Sequence, residues 1–420
     1  MFDRVIGYKE IKKELAQIVD MIKDPDKYKS IGAKLPQGII LVGKPGLGKT
    51  LLCEECIDAL GLPHFTVRRS KSTKDFIKEM TDVFNEAKKK SPSVILLDDI
   101  DKFSSQEGRN LNSEEYVAVQ SLMDDVKDCG VFTLATANEV KKLPVSLLRA
   151  GRLGTTINVK APTGKDAEEI IKYFLCDKKI SDSVNYDDIN KMFSYSSCAE
   201  LKDILNSAAI SVAYDNREVI EMSDLVDAVL KRQYDVESDL RTVSEEKLRT
   251  TAYHEAGHLV VSEILLSESV GLASINGKNG RIGGFVHNCV DLDTRRQEIQ
   301  VSLAGKVAVE TFLGGDVCAS GCYFDLRNAY DDIKNAITTS GTLGLGLLDV
   351  SNENNLVASE TYLLQAETAI KAELERNMFI VRDILVKNKV FVEKIADALM
   401  EKRTLLFSDI QKIKSESSVA

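Results

Sequence analysis

Short apolar runs alternate with stretches of helical period over the first 160 residues, and from there on the helical period takes over. Gln37-Gly-Ile-Ile-Leu-Val-Gly43, Val94-Ile-Leu-Leu97 and Val131-Phe-Thr-Leu-Ala-Thr-Ala137 have the length and continuity of strands buried on both faces. His64 to Arg68 and Thr156 to Lys160 add two shorter ones, and five strands with helices between them predict an α/β, doubly wound parallel sheet. Helical patterns follow at Asp166–Leu175, Tyr186–Phe193, Ala199–Tyr214 and Ser223–Arg232, a small helical lid. Gln233 to Glu246 is polar and poorly periodic, as a linker is. A helix around residue 254, a glycine-rich stretch at Gly271–Gly284, and helical stretches at Asp293–Phe312, Asp325–Ser340 and Glu360–Lys402 predict a mainly α-helical last part. Within it Arg281 to His287 reads as a strand able to pair with an extended peptide. The expected domains are 1–162, 163–232, the linker 233–246, and 247–415, with a disordered end from Lys414.

Composition narrows the classes. A chain of 420 residues with net charge −10 is no general nucleic-acid binder and has no attraction to anionic membranes. No segment approaches eighteen consecutive apolar residues and Met1-Phe-Asp-Arg-Val is no signal peptide, so a cytoplasmic chain without a membrane segment is expected. Eight scattered cysteines suit reduced thiols, and Cys53 and Cys56, one helical turn apart with no second pair, read as packing residues.

The first apolar run ends in Gly43-Lys44-Pro45-Gly46-Leu47-Gly48-Lys49-Thr50, a P-loop with its strand before and helix after. Such a loop turns backbone N–H groups toward phosphates, its lysine reaches the β and γ phosphates, and its threonine holds Mg²⁺, so ATP and Mg²⁺ are expected ligands. The next buried strand delivers Asp98 to the magnesium and Asp99 to the attacking water, where many ATPases of this class carry the longer Glu. One methylene lost at that position is able to slow hydrolysis. Asn138, closing the following strand, offers an amide to the same water.

Thr251-Ala-Tyr-His254-Glu255-Ala-Gly-His258-Leu-Val-Val261 carries a second chemistry. Residues four apart share one helix face, so His254 and His258 can bind one zinc ion, and Glu255 beside them serves as general base for amide hydrolysis. Two of only four histidines in the chain fall at this spacing. Zinc needs a third protein ligand. Ile264 and Val261 stand where a metzincin has His and Gly, and Ala273–Gly280 lacks the Glu of a thermolysin-like site, so the third ligand lies farther away.

In order and spacing, Gly43–Thr50, the Asp98 strand, Asn138, Leu148-Arg149-Ala-Gly-Arg152, the helical lid and His254-Glu255-Ala-Gly-His258 resemble the FtsH family of AAA+ zinc metalloproteases over nearly the whole chain. The resemblance implies a third zinc ligand at Asp325, in Gly321-Cys322-Tyr-Phe-Asp325, with Cys318, Cys322 and Glu263 as rivals, and a helix beside the site at Leu303-Ala-Gly305-Lys-Val-Ala308. It also implies a homo-hexamer acting on protein substrates, with Arg152 reaching the neighbouring subunit's ATP as an arginine finger. Departures cluster on the motor. Thr155 stands where a second arginine is usual, Asp124-Asp125-Val126 replaces Asp-Gly-Phe, and no glycine follows Phe76-Ile77 in a shortened substrate-gripping loop. The membrane helices that precede the ATPase part in that family are not in this sequence, which leaves open a natural soluble form, tethering through a partner, or a fragment without its anchor.

Three readings compete. The leading one is an ATP-dependent zinc endopeptidase; the second keeps the peptidase but makes ATP a structural ligand of the ring; the third is a non-proteolytic remodeller or scaffold whose zinc only stabilises the fold. Substrates, adaptors and cleavage preference are not written in the sequence.

Overall fold

The computed structural model describes residues 1–69, 72–104, 113–236, 244–277, 282–314, 321–343 and 360–417, without the side chains of 282 and 360–363. They form two compact units, Met1–Asp177 with Tyr195–Asp203, and Lys178–Ser194 with Ile204–Ala420. Among the described residues no helix is long and apolar enough to cross a membrane.

The first unit runs α1 (Lys9–Lys23), α2 (Pro25–Lys29), β1 (Gly38–Val42), α3 (Lys49–Leu60), β2 (His64–Val67), α4 (Thr73–Lys89), β3 (Ser93–Leu97), α5 (Glu114–Asp125), β4 (Val131–Ala137), β5 (Thr155–Asn158) and α6 (Gly164–Leu175). Its strands pair in parallel in the order β2-β3-β4-β1-β5. The three continuous apolar runs are its central strands, buried at every position because helices cover both faces. Gly43, Asp98 and Asn138 follow directly on β1, β3 and β4, so the parallel sheet gathers them at one end, the end where such sheets bind ligands.

Two expectations change here. The segment around Phe76 is no exposed loop: α4 begins at Thr73, and Phe76 is wholly buried edge-on against Phe103, with ring centroids 4.9 Å apart. Lys414 is no part of a loose tail either: it lies on the last helix of the second unit, and its ammonium donates to the buried Glu263 carboxylate at 2.8 Å. Cys53 and Cys56 are buried free thiols on α3, as packing residues are.

The second unit contains α7 (Tyr186–Met192), α9 (Met222–Gln233), α10 (Glu245–Leu265), β6 (Val270–Asn276), β7 (Ile282–Asn288), α11 (Arg295–Phe312), α12 (Cys322–Thr338), α13 (Glu360–Lys387), α14 (Lys389–Lys402), β8 (Thr404–Leu406) and α15 (Phe407–Ser415), while the residues of α8 (Cys198–Tyr214) divide between the units. β7-β6-β8 form an antiparallel sheet of which sequence periodicity revealed only β7.

At the centre of this unit stands α10, buried on nearly every side from Leu248 to Glu263, as a helix is when partners surround it. Acidic Glu245 and Glu246 open it, favoured by the helix dipole, and the hydroxyls of Thr250 and Thr251 donate to carbonyls one turn back, which satisfies them in an apolar setting. A small residue at its middle sets how closely its neighbour packs. A Cβ on Gly257 would stand 2.5 Å from the Ala304 carbonyl oxygen and 2.6 Å from the Ala308 Cβ, so only glycine lets α11 approach this closely.

Candidate functional site

The close approach of α11 and α12 to α10 builds a cluster of three side chains. His254 Nε2 and His258 Nε2 are 3.2 Å apart, and Asp325 Oδ2, from the first turn of α12, lies 3.0 Å from the former and 3.4 Å from the latter. Among the described residues this is the one group of His, Cys, Asp or Glu side chains arranged to share an ion. The tautomers decide what the cluster can hold. His258 Nδ1 is 2.7 Å from the Val301 carbonyl, which only accepts, so Nδ1 carries the proton and Nε2 presents a lone pair. Asp325 Oδ2 is buried and, among the described residues, has no hydrogen-bond donor. Converging lone pairs repel unless a cation lies among them, and a tetrahedral zinc with bonds of about 2.0–2.2 Å sets its donors roughly 3.3–3.5 Å apart. The residues fit zinc.

The rivals for the third position fall away on geometry. Glu263 accepts from the backbone N–H groups of Glu268 and Val270, from Gln411 and from Lys414, so its carboxylate is fully engaged elsewhere. Cys322 is buried beside the site, but its Sγ faces His254 Nδ1 at 3.8 Å, the ring nitrogen turned away from the cluster. Cys318 lies outside the described residues. His287 stands apart, edge-on to Tyr234.

Glu255 points off the other flank of α10, toward β7. A Cβ on Gly284 would come within 2.4 Å of its Cδ and Oε1, so the carboxylate lies directly on the strand's backbone. Burial pushes the Glu255 carboxyl up to about 7, and the negative charge of Asp325 acts in the same direction. Gly305 does for the imidazoles what Gly284 does for the carboxylate: a Cβ there would be 2.4 Å from His258 Nε2 and 2.5 Å from His254 Cε1. Gly284 carried no sequence signal beyond a glycine-rich stretch. Gly305 sits in the helix that the family resemblance singled out.

In the first unit the P-loop residues Gly43–Thr50 join Asp98 and Asn138. Gly46 and Gly48 take φ of +77° and +83°, conformations that L side chains avoid, to curl the loop between β1 and α3. Lys49 is buried, and its ammonium donates to the Gly43 and Lys44 carbonyls and to Asn138 Oδ1, at 2.7, 2.9 and 2.9 Å. All three hydrogen-bond partners are neutral oxygens, so no carboxylate pairs directly with the ammonium; burial lowers the Lys49 pKa while the charges of Asp99, Asp101 and Asp98 act to raise it. Asp98 Oδ1 accepts from the hydroxyls of Thr50 at 2.9 Å and Thr136 at 2.7 Å. Thr136, missed in the sequence because it lies inside an apolar strand, also accepts from the Asp99 N–H.

Two predicted residues are engaged by neighbouring side chains. Asp99 has a left-handed φ of 54°, and its Oδ2 accepts from Lys102 at 2.7 Å. Arg152 forms a two-pronged pair with Asp124, at 3.0 and 2.7 Å, and donates also to Gln120 and to the Ser146 carbonyl.

Comparison with known proteins matches residues 39–161 to the ATPase family associated with various cellular activities (AAA) and residues 241–413 to peptidase family M41. Proteins named ATP-dependent zinc metalloprotease FtsH align along nearly the whole chain. That of Mycoplasma pneumoniae is 31% identical over 98% of this chain and 62% of its own length. Those of Ruminiclostridium cellulolyticum and Veillonella parvula are each 30% identical, covering 98% and 96% of this chain and 71% and 67% of their own lengths. The chain thus spans 62% of the length of the Mycoplasma relatives.

Proposed function

The chain belongs to the FtsH family of AAA ATPases joined to M41 peptidases, and from that premise we propose that it is an ATP-dependent zinc endopeptidase working on protein substrates as a homo-hexameric ring. The observation that carries the reading is the convergence of His254, His258 and Asp325, with Glu255 on the adjoining flank. Zinc held by these three supplies a Lewis acid that polarises a substrate amide and acidifies water. The chain's residues do the rest. Glu255, its carboxyl poised near neutral pH, takes a proton from the attacking water and returns it to the leaving amine. β7, at the edge of its sheet, offers backbone groups to an extended substrate strand beside that carboxylate. The Val301 carbonyl and α11 keep the imidazoles turned inward. The proposal places the protein in the cytoplasm, where its scattered thiols stay reduced.

A second reading, in which ATP assembles the ring and is turned over slowly, has specific observations behind it. Phe76 is buried in α4, Arg152 is engaged by Asp124, and Asp99 is engaged by Lys102. One preparation separates the two readings. Under ATP-driven proteolysis, casein breakdown by the wild type requires ATP, and Lys49→Ala lowers both ATP turnover and casein breakdown at least roughly tenfold, since the buried ammonium is the loop's charged phosphate contact. If ATP turnover of wild type equals that of Lys49→Ala while small peptides are still cut, the structural role of ATP is the correct one.

Gly284→Ala tests the placement of the base independently. The variant is expected to bind zinc like wild type and to cut peptides roughly tenfold to 10²-fold more slowly, because the new methyl displaces the Glu255 carboxylate by about an ångström. Unchanged cleavage by a zinc-loaded Gly284→Ala protein would move the base elsewhere.

A further inference from the structure

Arg68 makes a charged contact with the nucleotide site, on Asp98, that neither the P-loop motif nor the family pattern accounts for. Its place is set by the sheet. β2 and β3 pair in parallel with Val67 opposite Leu97, and the Asp98 N–H donates to the Val67 carbonyl at 3.0 Å, so Arg68 and Asp98 leave the sheet side by side. Arg68 Nε then donates to Asp98 Oδ2 at 2.7 Å. The other carboxylate oxygen is taken by the hydroxyls of Thr50 and Thr136. The oxygen that a divalent ion would claim is therefore the one a guanidinium already holds.

The neighbouring arginine shows the contrast. Arg69 turns inward, donating to Glu115 and Thr73 and lying over the Phe76 ring, and only 16% of its side chain is exposed. Arg68 is 60% exposed against 7% for Asp98, so its arm is free to leave while the carboxylate stays fixed. A guanidinium is charged at every accessible pH and is more weakly hydrated than an ammonium, which suits it to exchange between a carboxylate and a phosphate.

We propose that Arg68 is a positioning residue of the nucleotide site, a built-in cation that competes with magnesium for Asp98 and lends its charge to the phosphates when magnesium is scarce. The inference rests on the P-loop of the proposed function binding ATP. Its consequence is a nucleotide site less dependent on magnesium than its other residues would make it. A charge-assisted hydrogen bond shifts an equilibrium by roughly ten- to a hundredfold. Removing Arg68 takes that factor from the magnesium-free complex and from the competition with the ion together.

The test is binding, not turnover. The fluorescent analogue mant-AMPPNP is titrated into the full chain in EDTA and at a series of magnesium concentrations, for wild type, Arg68→Ala and Arg68→Gln. The expected result is that the ratio of affinities with and without magnesium rises roughly tenfold or more in Arg68→Ala, and that half-saturation by magnesium falls. Arg68→Gln keeps a donor of similar reach without the charge and is expected to follow Arg68→Ala. A ratio in Arg68→Ala within about twofold of wild type overturns the proposal, as does wild-type behaviour of Arg68→Gln. If wild type itself fails to bind the analogue, the P-loop reading fails and the inference with it, an outcome distinct from tight binding that ignores Arg68.

Discussion

Glu255→Gln is expected to keep its zinc and to lose peptide hydrolysis by roughly 10²- to 10⁴-fold, the range that positioned acid–base groups contribute. The substitution is chosen for its shape. Glu255 is 4% exposed and lies against the Gly284 backbone, so a side chain of another size would move β7 as well as remove the charge. An amide of the same shape stays in place but has no lone pair basic enough to accept the proton of the attacking water. Because Glu255 contributes no atom to the group of His254, His258 and Asp325, metal content is predicted to be that of wild type. Casein breakdown and bound zinc, measured on the same preparation, check both halves. Equal cleavage by the two proteins would remove Glu255 from the chemistry and with it the peptidase reading.

Gly305→Ala has the complementary expectation: zinc affinity falls roughly 10- to 100-fold and cleavage falls with it, the range seen when the supports of metal ligands are disturbed. The added methyl carbon would stand 2.4 Å from His258 Nε2 and 2.6 Å from His254 Nδ1, well inside contact distance. Neither ring can step aside cheaply. His258 is tied to the Val301 carbonyl at 2.7 Å, and α11 is pressed onto α10 across Gly257 by the Ala304 and Ala308 backbone and methyl groups. The strain therefore goes into rotating imidazoles away from Asp325 or into parting two helices of the core. A zinc titration followed by competition with a chelator measures the first, and a denaturant midpoint measures the second. Wild-type zinc affinity together with a wild-type midpoint would show that α11 approaches less closely than the structure has it.

The contrast between these residues shows where sequence reading succeeds. His254, Glu255 and His258 are near neighbours on one helix, and a period of 3.6 residues fixes their relative directions before any packing occurs. Gly43–Thr50 likewise carries its conformation in its own glycines. The strands of the parallel sheet were legible for a related reason, burial on both faces leaving a continuous apolar run, as in Ile39–Val42 and Val94–Leu97. β6, Val270–Asn276, is buried at six of its seven positions but breaks its apolar residues with glycine and serine, and β8 has only three residues, Thr404–Leu406.

By itself, then, the sequence determined the local half of each site: two imidazoles and a carboxylate on one helix, and a phosphate-binding loop between a strand and a helix. For the third position the family resemblance pointed to Asp325, and tertiary structure adds the geometry: α12 brings Asp325 to the imidazoles, Lys414 and a backbone turn engage Glu263, and Cys322 faces the outer ring nitrogen of His254. Tertiary structure also turned Phe76 into core, set Arg68 on Asp98, and brought Gly284 against the Glu255 carboxylate and Gly305 against the two imidazoles. The physical reason is range. Bond geometry and helical period act over a few residues, whereas the distance between groups tens of residues apart is settled only when whole elements pack, and packing depends on every side chain between them.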